Sequence, residues 1–265
     1  MNIKNTSYNF RIGLVMSIFM LGLSVVGFFW TPFPPDQMDG SLRLAAPHFP
    51  HIFGTDQFGR DVFSRVLIGA GNTLVVALGT IAIGGGIGTL LGAVTGYFGG
   101  WVDEILMRVN DALIAFPSIL LALVIISLTG SGRTQVIVAL GIAFIPSFAR
   151  VVRGEFMRVK DEDYVTSAKL MKVPTIRLMF IHILPNMIPV LLSAIMIGFN
   201  NAVLAEAGMS YLGIGVQPPD ASLGRMLSES QQFLFGAPWN VIFPGIFIIL
   251  LVLGLGLLGE GVLDR

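Results

Sequence analysis

Six long apolar stretches run through this chain of 265 residues, and they limit what it can fold into. They cover residues 12–30, 73–96, 114–130, 135–152, 187–207 and 239–258. A helix needs roughly 20 apolar residues to cross the hydrocarbon core of a bilayer. Only 12% of the residues are charged, about half of the roughly 25% that soluble domains carry. The pattern therefore predicts an all-α, polytopic protein with six transmembrane helices in a lipid bilayer.

The distribution of Lys and Arg predicts how these spans are oriented. Six spans place both termini on one side of the membrane. Five of the 16 cations fall on the opposite side, and they are Arg43, Arg60, Arg65, Arg133 and Arg225. The other eleven, from Lys4 to Arg265, share the side of the termini. Because loops rich in Lys and Arg stay in the cytoplasm, both termini are predicted to be cytoplasmic.

The first span and the segment after it are predicted to form an N-terminal part of the chain, residues 1–72. The span at 12–30 is longer than the apolar region of a signal peptide, and no small-x-small cleavage site follows it. Residues 31–72 are polar and extracytoplasmic in this topology, and the apolar spacing of 61–74 predicts an interfacial helix that leads into the second span. Residues 73–265 form the transmembrane domain, in which residues 131–134 separate two short spans and predict a tight hairpin.

Glycines recur every four residues along the second span, at Gly84, Gly88, Gly92, Gly96 and Gly100. In a helix these positions form one stripe without side chains. Small residues in register let membrane helices approach closely, so the stripe predicts a tight helix–helix contact, within the chain or with a partner. The alternative is that glycine is merely common in membrane helices.

The longest polar segment between spans, residues 153–186, has the pattern of two helices separated by a break. Acids at 161–163 precede Lys169 and Lys172, the charge order that suits a helix dipole. Pro174 then starts a second helix, which is predicted to reach about His182 and to end near 184–185. Such an element is either a docking site or a plain connector.

Two parts of this segment, 163–168 (DYVTSA) and 182–186 (HILPN), resemble the EAA loop of bacterial ABC importer permeases. Four other stretches, 54–61, 96–103, 115–117 and 204–219, resemble the dipeptide, oligopeptide and nickel branch of that family. The likeness spans roughly residues 10–265 and is closest to the second, or C-type, permease of the pair. It implies the type I importer architecture, called MetI-like, in a bacterial inner membrane.

The resemblance implies that substrate passage and ATP hydrolysis belong to different subunits. Segment 153–186 would be a coupling loop that docks on an ATPase subunit through Asp163, Tyr164, Thr166, Ser167, Ala168, Lys172, Leu184 and Pro185. The chain contains no GxxxxGK[ST] motif, so ATP and magnesium would belong to two partner ATPase subunits, and the chain is predicted to be no enzyme and to hold no cofactor. A second permease would complete a heterodimer, and a binding protein would deliver peptides or nickel complexes to 31–72 and 214–238.

This chain departs from the family pattern at two places in the loop. The family's Glu-Ala-Ala is Thr166-Ser167-Ala168 here, and Lys172 stands where the family has a glycine. That glycine ends the first helix in a left-handed conformation, and a lysine there costs about 1 kcal/mol. Either the turn is remodelled with the help of Pro174, or the strain is tolerated.

Polar residues inside the fifth span are candidates for the translocation path, because polar groups in a membrane are costly and often functional. Asn200, Asn201 and Glu206 are the candidates. The alternative for the asparagines is hydrogen bonding between helices, and Glu206 is predicted to pair with an arginine such as Arg60. His48 and His51 are loop residues without further ligands nearby in sequence, so no metal site is predicted.

Two other classes of function compete with the importer subunit. A self-sufficient channel or secondary transporter would need charges at mid-membrane or paired repeats, and neither is evident. An intramembrane enzyme would need a catalytic motif such as HExxH or GxSxG, and neither occurs in the sequence. The net charge of zero gives no sign of nucleic-acid binding.

Overall fold

The computed structural model describes residues 3–263, and the regular secondary structure in that range is helical. The helices are α1 (Ile3–Phe29), α2 (Val62–Phe98), α3 (Gly100–Ile114), α4 (Ser118–Thr129), α5 (Arg133–Val159), α6 (Asp163–Leu170), α7 (Thr175–Arg177), α8 (Ile188–Tyr211), α9 (Leu223–Ser230) and α10 (Trp239–Leu263). This architecture confirms the predicted all-α class. Of the cations that predict the orientation, Arg265 and the side chain of Lys4 lie outside the described part.

Within residues 3–263, five helical stretches are long and apolar enough to cross a membrane. They are Tyr8–Phe29, Val62–Phe98, Arg133–Val159, Thr175–Tyr211 and Trp239–Gly261. Helices α3 and α4 qualify only as a pair, and they meet at an angle of 88°. The predicted number of six spans therefore holds if this bent pair is counted as one.

The third span differs from the continuous helix predicted over 114–130. Helix α4 has 12 residues, a length of about 18 Å, which is short of the roughly 30 Å hydrocarbon core. Pro117 causes the break, because it lacks an N–H group and disfavours helical geometry at Phe116. The predicted tight hairpin is present, since α4 ends at Thr129 and α5 begins at Arg133.

The second span is longer than predicted. Helix α2 has 37 residues, about 55 Å, and it begins where Asp61 accepts a hydrogen bond from the Ser64 backbone N–H at 2.7 Å. The helix predicted for 61–74, leading into the second span, is present, and its residues are the first turns of α2 rather than a separate interfacial element. The predicted border at residue 72 lies inside this helix, so the division of the chain there stays a prediction.

Two buried apolar clusters organise the molecule. The larger one joins α2, α5, α8 and α10, with α1 packed antiparallel on α10. The smaller one joins the ends of α2 and α5 to the segment between α5 and α8. Helices α2 and α5 run parallel, because the third span returns the chain between them, and they make the most extensive helix contact.

Candidate functional site

Four glycines of the stripe lie directly against α5. A Cβ atom added at Gly88 would sit 2.5 Å from the Phe148 Cβ, and one added at Gly92 would sit 2.5 Å from the Ala149 carbonyl oxygen. Gly84 lies one helical turn before Gly88, Gly96 lies one turn after Gly92, and both face α5 in the same way. Gly100 lies beyond the end of α2 with no atom within 4 Å of such a Cβ. The stripe thus brings the two backbones together inside this chain.

Residues 160–187, which we call the knob, pack against the ends of α2 and α5. Phe156 and Val159 of α5 are buried together with Val165, Ala168 and Ile183 of the knob. The Lys160 ammonium donates a hydrogen bond of 2.9 Å to the Gly96 carbonyl at the end of α2. The knob therefore has an apolar core that it shares with two spans.

Helix α6 ends in a turn whose central residue, Lys172, has a left-handed backbone conformation. Lys172 has a φ of +58°. The Val173 N–H donates to the Ala168 carbonyl at 3.2 Å, and the Lys172 N–H donates to the Lys169 carbonyl at 2.9 Å. This is the Schellman pattern, which glycine usually completes. Of the two alternatives for this turn, the chain keeps the left-handed geometry and tolerates a strain of about 1 kcal/mol.

The second half of the knob continues into the fifth span. Helical backbone runs unbroken from Thr175 to Tyr211, through a wide π turn at Leu178–Ile183 and a tight 3-10 turn at Leu184–Met187. The predicted end of this helix near residues 184–185 is therefore wrong. Pro185 removes one helical hydrogen bond, and the changes of helix type accommodate it without a break. The knob and α8 form one helical rod.

Most of the predicted coupling residues lie on the surface of the knob. The exposed ones are Asp163, Tyr164, Thr166, Ser167, Lys172 and Pro185. Leu184 is half-buried, and Ala168 is buried in the core of the knob. The Tyr164 hydroxyl accepts a hydrogen bond of 2.8 Å from the Asn186 side chain, which ties the two halves of the knob together.

An apolar tip on the knob was missed by the sequence reasoning. Leu170, Met171 and Ile176 are 80%, 74% and 75% exposed. They flank the left-handed turn, where the chain reverses between α6 and α7. Three large apolar residues inside an otherwise polar loop were the signal that could have identified this tip.

A cavity of about 500 Å³ lies between α4, α5 and α8. Its polar side chains are Ser118, Ser147 and Asn201, and its other lining residues are apolar or glycine. Of the three predicted path residues, the structure brings only Asn201 to this groove. Asn200 lies near Gly256 of α10.

Glu206 lies buried between three elements at the other end of α8 from the knob. Its carboxylate accepts hydrogen bonds from the hydroxyls of Thr73 on α2 at 2.7 Å, Ser210 at 2.6 Å and Ser222 before α9 at 2.8 Å. The predicted pairing with Arg60 is wrong, because Arg60 pairs with Asp56 at 2.6 Å instead. Nearby hydroxyls satisfy the carboxylate, and sequence spacing could not show them.

Residues 30–61 and 212–238, which we call the cap, cover the end of the molecule opposite the knob. Arg60 joins its two parts by a contact of 3.3 Å with Glu229 on α9. His51 pairs with Asp61 at 2.9 Å, where Asp61 also caps α2. Throughout residues 3–263, no cluster of three or more His, Cys, Asp or Glu side chains could hold a metal ion.

The Asp39 side chain lies in a short turn of the cap. Its carboxylate accepts hydrogen bonds from the Ser41 hydroxyl at 2.6 Å and from the Ser41 backbone N–H at 2.9 Å. These bonds, the hydroxyl first, hold the pKa of Asp39 below its usual value. The turn is thereby ordered by local hydrogen bonds on the exposed surface of the cap.

Known proteins resemble this chain in sequence and in fold. Residues 88–265 match the family described as binding-protein-dependent transport system inner membrane component. A dipeptide transport system permease protein, DppC, of Alkalihalophilus pseudofirmus is 37% identical over 255 residues, which cover 96% of this chain and 83% of that protein. A putative peptide transport system permease of Brucella suis is 40% identical, over 97% of this chain and 86% of that protein.

Two further likenesses agree with these. The glutathione transport system permease protein GsiD of Pectobacterium atrosepticum is 37% identical, over 96% of this chain and 86% of that protein. The fold resembles a chain of the MetNI methionine ABC transporter in an inward-facing conformation, with a TM-score of 0.58 and 18% identity, over 74% of this chain and 90% of that one. This likeness confirms the MetI-like fold.

The matched residues include the last turns of α2, α5, the knob and α8, so the knob and the groove both lie inside the family's common region. The relatives are named as permease proteins of transport systems, and the family is described as an inner membrane component. The chain belongs to the family of binding-protein-dependent transport system inner membrane components, as a permease subunit of a bacterial ABC importer.

Proposed function

We propose that this chain forms half of the translocation path of an ATP-driven peptide importer. Separate ATP-binding subunits dock on the knob, and an extracytoplasmic binding protein docks on the cap. In this orientation the knob and both termini are cytoplasmic. The observation that carries the proposal is the apolar core shared by the knob, α2 and α5, together with the unbroken helix from Thr175 to Tyr211.

Three long helices connect the knob to the cap. Helix α2 starts at Asp61 in the cap and meets Lys160 of the knob at Gly96. Helix α5 starts at Arg133, whose guanidinium donates to the Asn72 side chain of α2 at 3.0 Å, and Asn72 donates in turn to the Ala221 carbonyl of the cap at 2.7 Å. Helix α5 ends beside the knob, and α8 runs from the knob to Tyr211 at the edge of the cap. Because close-packed interiors transmit displacement, a push on the knob moves these helices as one body, the kind of rigid-body switch that opens one face and closes the other.

The groove between α4, α5 and α8 is our candidate for this chain's part of the path. Its lining carries hydroxyls and one amide but no charged side chain. The break at 115–117 leaves helix-end N–H groups near it, and non-helical backbone at membrane depth requires water or protein beside it. A hydrated path between this groove and the second permease satisfies that requirement, with Asn201 facing it.

Peptides fit this groove better than nickel does. Nickel sites use imidazole, thiolate or carboxylate ligands, and the groove lining provides none of them. The relatives described above are named for peptides, dipeptides or glutathione. Hydroxyl and amide groups suit the amide groups of a short peptide, and the apolar walls suit varied side chains.

Uptake by a strain that lacks this chain tests the substrate. We expect accumulation of a labelled dipeptide to fall to background and to recover when the wild-type gene is restored. Uptake of radioactive nickel, measured in parallel, is expected to stay unchanged. Loss of nickel uptake with normal dipeptide uptake would reverse the assignment.

A further inference from the structure

Lys172 occupies a backbone conformation that costs energy and gains nothing inside the chain. Its φ of +58° lies in the left-handed region, which residues with a Cβ seldom adopt and glycine adopts freely. Its side chain is exposed, and none of the described residues forms a hydrogen bond or ion pair with it. The benefit of a lysine at this position must therefore come from outside the described chain.

The charged residues closest to Lys172 in sequence are cations, because the acids of the knob, Asp161, Glu162 and Asp163, lie at the other end of α6. Residues 164–205 contain no Asp or Glu. Lys169 is engaged with the carbonyl of Lys160 at 3.1 Å, while Lys172 and Arg177 have no partner among the described residues. Two cations thus lie close in sequence on either side of the turn at Pro174, and neither is paired with a carboxylate of the described residues.

The same turn presents the exposed apolar tip formed by Leu170, Met171 and Ile176. Large apolar side chains next to unpaired cations are typical of a contact surface with an apolar centre and a charged rim. The surface that complements this tip has an apolar floor and carboxylates along its edge.

We propose that Lys172 determines which ATP-binding subunit this permease accepts, by pairing with a carboxylate at the rim of the cleft that receives the tip. Leu170 and Met171 fill the floor of that cleft. The inference rests on the proposed function, because it takes the occupant of the knob to be an ATP-binding subunit. The cleft is thereby assigned an apolar floor and a carboxylate rim, and Lys172 is the residue that recognises the rim.

Substitution of Lys172 distinguishes an effect on binding from an effect on folding. Lys172→Gly removes the charge and also the backbone strain, so we expect the melting temperature of the purified chain to stay unchanged or to rise. Affinity for the ATP-binding subunits of the same importer, purified separately and titrated onto the permease pair in nanodiscs, is expected to fall about tenfold. Because a charge pair is screened by salt, the salt dependence of binding is expected to weaken as well.

Two matched variants complete the test. Lys172→Arg keeps the charge, so its affinity is expected to stay near that of the wild type, whereas Arg108→Gln removes an exposed cation outside the knob and is expected to leave affinity unchanged. If Lys172→Gly binds as tightly as the wild type, with the same salt dependence, the role of Lys172 is overturned while the docking of the knob stands. If the wild type itself does not bind these subunits, the proposed function fails first.

Discussion

Gly88→Leu is expected to prevent this chain from folding stably, although it adds an apolar residue to an apolar span. The first added atom would lie 2.5 Å from the Phe148 Cβ and 2.8 Å from the Ile145 carbonyl oxygen. Neither atom can rotate away, because both are fixed by the backbone of α5. Overpacking costs about 1–3 kcal/mol when side chains can move aside. Because neither atom can move here, we expect the free energy of unfolding to fall by more than about 3 kcal/mol.

Two variants of the same helix serve as controls. Gly86 has no atom within 4 Å of an added Cβ, so Gly86→Leu should be tolerated. Leu91→Ile keeps the side-chain volume, and such swaps usually cost less than about 1.5 kcal/mol. Thermal unfolding of each purified variant in detergent measures the difference, and equal melting temperatures for Gly88→Leu and Gly86→Leu would show that the stripe is incidental.

Glu206→Ala is expected to produce the second largest loss, by releasing the cap from the spans. The substitution leaves the hydroxyls of Thr73, Ser210 and Ser222 without their acceptor in a buried site. A buried hydrogen bond contributes about 0.5–1.5 kcal/mol, and hydroxyls left unsatisfied in a buried site add to the loss. We expect a destabilisation of roughly 3–5 kcal/mol, together with faster hydrogen exchange in residues 212–222.

Glu206→Gln is the conservative variant, because it keeps the shape and one acceptor oxygen, and its loss should be clearly smaller. Glu104→Ala removes an exposed carboxylate that pairs with Arg108 on the same helix, and exposed pairs of this kind contribute at most about 1 kcal/mol. A loss for Glu206→Ala no greater than that for Glu104→Ala would mean that the carboxylate does not hold the cap.

Features governed by local pattern could be predicted from the sequence. Apolar length located the spans, and the four-residue period of glycine marked the face of α2 that meets α5. The left-handed turn at Lys172 was one of two alternatives predicted for this position. The charge order of residues 161–172 indicated a helix that ends there, and Pro174 indicated the start of the next one. Each of these properties depends on neighbours within a few residues.

Features that depend on distant contacts could not be predicted. Glu206 receives its hydroxyl donors from α2 and from the start of α9, far away in sequence, so an arginine was a reasonable but wrong choice of partner. The helix through Pro185 continues because wide and tight turns compensate for one missing hydrogen bond, a possibility that the rule for proline leaves open. The break before α4 was hidden because the apolar runs 113–116 and 119–126 flank Pro117 and Ser118 and together resemble one continuous span.

In the proposed mechanism, the knob is where the ATP-binding subunits move this chain. Its core is shared with α2 and α5, its second half is continuous with α8, and Glu206 ties the far end of α8 to the cap. Motion applied at the knob therefore reaches the cap through covalent helix and buried contacts.

Co-purification of the ATP-binding subunits with knob variants tests the central claim most directly. Purified alone, the chain is expected to hydrolyse no ATP. Deletion of 161–174 is expected to abolish co-purification, and so is the double substitution Leu170→Glu and Met171→Glu, which changes only exposed side chains and spares the fold. ATP-binding subunits that still co-purify with both variants, in amounts equal to the wild type, would contradict the account.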